Sequence, residues 1–367
     1  MTEEFQGANF SYTNFIFAGF PEIFQYRKLL FLPFFLSYIL VMVGNSLITM
    51  ENVTILNFLM FENLGYFRYI YFLLGLILYC TIVLFNIIII LAIFMERALH
   101  QPMYLLISCL SINSLYGTAG FFPRLLTDLL LHSHTISRPA CHIQTFVIYT
   151  YASYEFTILT LMAYDRFIAI SKPLQYHSVM TPKVLIVMVA LSWIYPMFSI
   201  GIGIIVTARL RLCGNDLRKL YCNNWIIAKL SCETATLDNI YGFVVLITTV
   251  LIPLSFIMYS YVKILIICQK CSKDLKSKAY HTCLPHLVTF VNYSITIFCE
   301  MTFTRFENLH PTVDVILSLE FLIIPPLLNP LVYGINFPDI RRKIHHHLKA
   351  SKQQTASRKC NNNFKST

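Results

Sequence analysis

Charge is scarce in this chain. Of its 367 residues only 13% are Asp, Glu, Lys or Arg, where soluble domains carry about 25%. A soluble enzyme of this length needs more polar surface than that composition supplies. Glycine occurs only 12 times against 30 Phe and 22 Tyr, which excludes disordered and fibrous chains. No nucleotide-binding glycine loop, zinc-protease motif or Gly-x-Ser-x-Gly elbow occurs, so catalysis has no support and no cofactor is implied. A standard signal peptide is also missing: the start, Met1-Thr2-Glu3-Glu4, is acidic, and the first apolar run begins near Leu29.

What is abundant is apolar. Such residues make up 56% of the chain and mean hydropathy is +0.62. They fall into eight blocks, roughly 29–49, 70–95, 104–127, 141–164, 184–207, 240–267, 284–304 and 313–335. Each is long enough for the ~20-residue helix that crosses a bilayer. Backbone polar groups in lipid must bond within their own segment, so the blocks are read as helices. They are too long and too continuously apolar for strands of a membrane barrel. The fold class is therefore an all-α membrane protein.

The net charge is +10, from 28 Lys and Arg against 18 Asp and Glu. The basic residues cluster in short connections and in the tail from Arg341-Arg342-Lys343 onward. That pattern suits an anionic inner leaflet, not nucleic acid. One set of connections holds Arg97, Arg166, Lys172, Lys183, Lys270, Lys273, Lys276 and Lys278, which puts it and the tail in the cytoplasm. The 208–239 connection, with Arg209, Arg211, Arg218, Lys219 and Lys229, runs against the bias without reversing it.

The first two blocks resemble each other at an offset of 41: Tyr26-Arg27 matches Phe67-Arg68, and Gly44-Asn45 matches Phe85-Asn86. Each is preceded by a glycosylation sequon, Asn9-Phe10-Ser11 and Asn52-Val53-Thr54. Chance likeness of two apolar helices is the plain alternative to a duplicated first span, two adjacent gene starts fused in one chain. The expected organisation is 1–49 as that partial duplicate, 50–69 as an extracellular segment, 70–335 as a seven-helix domain, and 336–367 as an amphipathic helix and basic tail. A crossing between the sequons puts them on opposite sides, so Asn52 or Asn9 is modified, not both. A start at Met50 gives seven spans with the N-terminus outside; translation from Met1 gives an additional N-terminal hydrophobic helix and an N-terminus inside.

At the inner end of the fourth block stands Met162-Ala163-Tyr164-Asp165-Arg166-Phe167-Ile168-Ala169-Ile170. A carboxylate that holds a guanidinium in one state and releases it in another makes a switch; a snorkelling helix-end pair is the bland alternative. The run resembles the Met-Ala-Tyr-Asp-Arg-Tyr signature of olfactory receptors, a branch of the rhodopsin-like G-protein-coupled receptors. His100-Gln101-Pro102-Met103-Tyr104, Ser260-Tyr261, Lys278-Ala279-Tyr280-His281-Thr282-Cys283 and Pro326-Leu327-Leu328-Asn329-Pro330-Leu331-Val332-Tyr333 resemble later motifs of that family, in order, over about 52–348. Ile112–Phe121 is similar to fish odorant receptors in particular. Phe167 and Ser171 depart from the usual Tyr and Cys. Ser114 stands where many rhodopsin-like receptors carry a buried Asp, which puts the sodium site in doubt.

The resemblance implies a seven-transmembrane receptor of the plasma membrane, embedded in lipid, that couples a small-molecule odorant to a heterotrimeric G protein of the olfactory, stimulatory type. It implies a switch made of Asp165, Arg166, Tyr261, Asn329, Pro330 and Tyr333. Odorant-pocket candidates by depth are Tyr149, Ala152 and Ser153 on the third helix and Asn292, Tyr293, Ser294 and Thr296 on the sixth; packing alone is the plain alternative for each. Ser114 and Glu155 are buried polar candidates, since a carboxylate at membrane depth is costly. There are 11 Cys, an odd number, so not all pair within the chain. Cys141, Cys213, Cys222 and Cys232 share the outer, oxidising side, where three pairings are open; the resemblance implies Cys141–Cys222 and Cys213–Cys232. The run His345-His346-His347 is not read as a metal site, because three consecutive helical residues do not face one ion. A transporter or channel would show inverted repeats and several intramembrane charges, and a hormone receptor of the same fold would differ in tissue.

Overall fold

The computed structural model describes residues 55–59, 65–131, 134–217, 219–270, 273–303 and 311–336. The expected span at 29–49, both sequons and the tail beyond Asn336 lie outside these. Seven long helices run through the described chain: α1 (Phe67–Met95), α2 (Pro102–Leu130), α3 (Arg138–Ser171), α4 (Pro182–Ala208), α5 (Thr236–Gln269), α6 (Lys273–Phe303) and α7 (Pro311–Asn336). Each covers one apolar block of the sequence to within a residue and runs past it at one end or both, because a helix continues past the hydrocarbon until its backbone finds a stop. Prolines open α2 and α4 at positions where no intrahelical N–H is needed, and the Thr181 hydroxyl accepts from the Val184 N–H to cap α4.

Among the described residues, six helices are long and apolar enough to cross a membrane; α6 is the long helix outside that set. It has the length, 31 residues or about 46 Å. Its polar side chains His286, Thr289, Thr296 and Glu300 lower its hydropathy, and all four are buried inside the bundle. The outer faces of the helices are instead apolar: Leu73, Leu84 and Phe94 of α1 and Val291 and Phe298 of α6 are exposed. The protein is an all-α membrane helical bundle. Helix α3 is its axis, packed on α2, α4, α5 and α6, while α7 closes against α1, α2 and α6. The α2–α3 approach is tight: a Cβ on Gly117 would lie 2.4 Å from the Tyr151 ring, and one on Gly120 2.4 Å from Val147 Cγ1.

Prolines inside these helices each lack the N–H that would bond the carbonyl four residues earlier. Neighbouring helices take up the carbonyls so freed. Pro330 frees Pro326 O, and Asn86 Nδ2 of α1 donates to it at 2.9 Å. Pro196 frees Ser192 O, and the Thr157 hydroxyl of α3 shares its one proton between that carbonyl at 3.1 Å and Tyr154 O of its own helix at 2.9 Å. In α5 the turn at Ile247–Leu251 widens to a π-helix just before Pro253, the local response to the same missing donor.

At one end of the bundle three short strands form a sheet. β1 (Ile55–Phe58) lies between β2 (Thr135–Ser137) and β3 (Asp216–Leu217). β1 runs antiparallel to β2, with Leu56 opposite Ile136, and parallel to β3, with Asn57 opposite Asp216. Leu56 and Phe58 are fully buried beneath it. Disulfides Cys141–Cys222 and Cys213–Cys232 stand at the same end. The first ties the 208–235 connection to the top of α3; the second closes that connection on itself.

Candidate functional site

Beneath the disulfide-held connection lies a cavity of about 230 Å³ between α3, α4, α5 and α6. From α3 come Tyr149, Ala152 and Ser153; from α6 come Ile297, Glu300 and Met301. The α6 candidates read from depth sit elsewhere. Tyr293 is buried and donates to the Ala152 carbonyl at 2.9 Å, and Thr296 bonds back to the Tyr293 carbonyl. Asn292 and Ser294 are not part of the cavity wall either. The cavity meets α6 one to two turns nearer the disulfide end, because the connection caps it there.

That connection is fixed by polar groups from three helices. Cys222 N–H donates to Gln144 Oε1 at 3.0 Å. Tyr149 Oη donates to Asn223 Oδ1 at 3.0 Å and accepts from Asn224 N–H at 3.2 Å. Tyr221 Oη donates to Glu300 Oε1 at 2.6 Å, and Lys219 Nζ lies 3.4 Å from the same oxygen and 3.2 Å from Ser318 Oγ. Burial, with the Glu300 carboxylate beside it, holds the Tyr221 phenol well above its ordinary range. Lys219, one of the basic residues that ran against the charge bias, is thus spent inside the protein on an ion pair.

Midway along the bundle Glu155 is 1% exposed. Its Oε2 accepts from Asn113 Nδ2 at 2.8 Å and its Oε1 from Asn329 Nδ2 at 2.7 Å. One carboxylate therefore joins α2, α3 and α7. Ser114 is also buried, but its hydroxyl turns to the Leu110 carbonyl of its own helix at 3.0 Å. The cross-helix partner is its neighbour, Asn113.

At the opposite end from the disulfides, Arg166 Nε and Nη2 donate to Asp165 Oδ2 at 2.9 and 2.5 Å. Asp165 is fully buried, and its other oxygen accepts from Tyr176 Oη at 2.7 Å. Burial and this carboxylate raise the Tyr176 phenol above its usual range. Tyr333 lies in α7 within 2.8 Å of Thr289 Oγ1 and 3.3 Å of His286 Nδ1, both on α6. Tyr261 is buried on α5. One 34-residue helix, α3, thus carries both part of the cavity wall, in its middle turns, and the Asp165–Arg166 pair, near its C-terminal end.

Sequence reasoning missed Asn113, Tyr176, Lys219, Tyr221 and Glu300. Glu300 carried the signal that singled out Glu155, a carboxylate inside an apolar block; the partners carried none. Asp238 fell just before the block that became α5, yet it stands 8% exposed on the cavity wall.

A family model described as olfactory receptor matches residues 75–351. Human olfactory receptor 51L1 is 34% identical over 267 residues, 71% of this chain and 84% of the relative. Human olfactory receptor 2AG2 is 35% identical over 272 residues, 73% and 85%, and rat olfactory receptor 1 is 31% identical over 277 residues, 75% and 88%. That family implies odorant sensing and G-protein coupling by a multi-pass protein of the plasma membrane, without enzymatic activity. On the fold, the motifs and these matches, the chain belongs to the olfactory receptor family of rhodopsin-like G-protein-coupled receptors.

Proposed function

We propose that a small odorant binds in the cavity between α3, α4, α5 and α6, and that binding is transmitted by helix rearrangement to a stimulatory heterotrimeric G protein at the far end. A ligand shifts such an equilibrium only by binding one arrangement better than the other. The cavity walls come from α3, α4, α5 and α6, so a ligand that draws them together favours one packing. The observation that carries the reading is α3 itself: Ser153 on the cavity and Arg166 in the ion pair are 13 residues apart on one rigid helix, about 20 Å. In the active arrangement the inner end of α6 moves outward, Tyr333 leaves Thr289, and Arg166 leaves Asp165. Residues 270–278, which include the first turns of α6, and the segment around Tyr176 then contact the G protein. The C-terminal tail lies in the cytoplasm, the exposed apolar faces meet lipid, and the partition 1–49, 50–69, 70–335 and 336–367 describes the chain.

The test is Arg166→Ala in cells that express the receptor and an olfactory G protein. Odorant-driven cAMP should fall to background while surface level is unchanged. Full signalling at equal surface level would remove Arg166 from the switch.

A further inference from the structure

We propose that the cavity at the disulfide end recognises a small protonated amine with an apolar body, its ammonium seated on Asp238. The proposal rests on the reading of this cavity as the ligand site. Two carboxylates form part of its wall, Asp238 and Glu300, and among the described residues no Lys or Arg does. Glu300 is already engaged by Lys219 and Tyr221. Asp238 differs: its Oδ1 accepts from the Thr207 hydroxyl and from Asn224 Nδ2, both neutral donors, and among the described residues neither a cation nor a donor to Oδ2 faces it.

A carboxylate withdrawn from water is costly without a countercharge. Asp238 does stand in the first turn of α5, where a helix dipole favours an acid, but that effect serves an exposed acid equally and needs no cavity. Other wall groups point the same way. Asn224 Oδ1 is buried without a hydrogen-bond partner, and Ser153, 5% exposed, forms part of the wall. Unused acceptors call for a donor, and an ammonium offers three N–H groups and no acceptor. The aromatic wall of Tyr149, Phe156, Tyr241 and Phe243 suits both an apolar body and a cation. A carboxylic acid would bring like charge and more acceptors to a wall already rich in both. An alcohol would supply one donor and no charge.

The experiment uses the full chain in lipid nanodiscs and three probes of one length: hexylamine, hexan-1-ol and hexanoate. Binding is read from the shift in melting temperature as each is titrated. Hexylamine should bind at least ten-fold more tightly than the other two, and Asp238→Asn should weaken it at least ten-fold. Asp238→Ser carries the same test if the Asn variant does not fold. Equal binding of amine and alcohol, undiminished binding by the Asp238 variant, or no binding of any probe overturns the proposal. Ser153→Phe, which fills the cavity, separates the two layers. If it blocks hexan-1-ol or hexanoate while Asp238→Asn leaves hexylamine unchanged, the cavity stands and the amine falls. If hexylamine binds Ser153→Phe as it binds the parent, the cavity reading falls as well.

Discussion

At the scale of single residues, the one carboxylate of Glu155 holds side chains from two other helices. A carboxylate in a low-dielectric interior persists only with donors on its oxygens, and Asn113 and Asn329 supply one to each. Hydrogen bonds to a charged group contribute about 1.5–3 kcal/mol, and those inside membranes average lower. Asn113→Ala or Asn329→Ala should therefore lower stability by about 1–3 kcal/mol. Each loss should shrink markedly in a Glu155→Ala background, since the amides then have nothing charged to serve. Melting temperatures across the double-mutant cycle read this directly; strict additivity would mean that the three side chains do not act as one group. The sequence disclosed Glu155 because an acid inside an apolar block stands out. It did not disclose the amides, which lie 42 and 174 residues away, since no local pattern encodes which distant side chain a fold will bring near. The same holds for Tyr176 against Asp165 and for Lys219 against Glu300.

At the scale of elements, the helices were legible and the sheet was not. A span announces itself by some twenty apolar residues in a row, whereas strands of four, three and two residues are too short to show an alternation. Nor was it legible what becomes of the carbonyls that prolines inside the helices release. The Thr157–Ser192 bond across α3 and α4 gives a test. Thr157→Val in the parent leaves Ser192 O without its donor and should cost about 1 kcal/mol. In a Pro196→Ala background the new N–H at 196 bonds Ser192 O within the helix, so the same Thr157→Val change should cost almost nothing. Thermal melts of the four proteins decide it. An equal cost in both backgrounds would show that Thr157 contributes through packing and not through the carbonyl that Pro196 frees.

At the scale of the whole molecule, the two ends of the bundle differ in chemistry, and that difference supports the orientation proposed above. One end holds both disulfides and the sheet, and disulfides persist where the surroundings oxidise. The other presents Arg166, Lys172 and Lys183, and a membrane protein leaves an excess of Lys and Arg on the cytoplasmic side. The basic residues of the 208–239 connection seemed to blur this contrast. Lys219 resolves part of it, because a lysine paired with Glu300 inside the bundle adds nothing to the charge of that surface. β1 belongs to the disulfide end, and Asn52 precedes its first residue by only three positions, within about 11 Å even for a fully extended chain. Asn52 should accordingly carry a glycan, detectable as a glycopeptide that collapses on enzymatic deglycosylation. An epitope placed after Thr367 should be reached by antibody only once cells are permeabilised. The two readouts must agree, because an odd number of crossings separates them: a glycan at Asn52 together with an epitope accessible on intact cells would require an even number of spans between residue 52 and the tail, and the seven-helix arrangement could not stand.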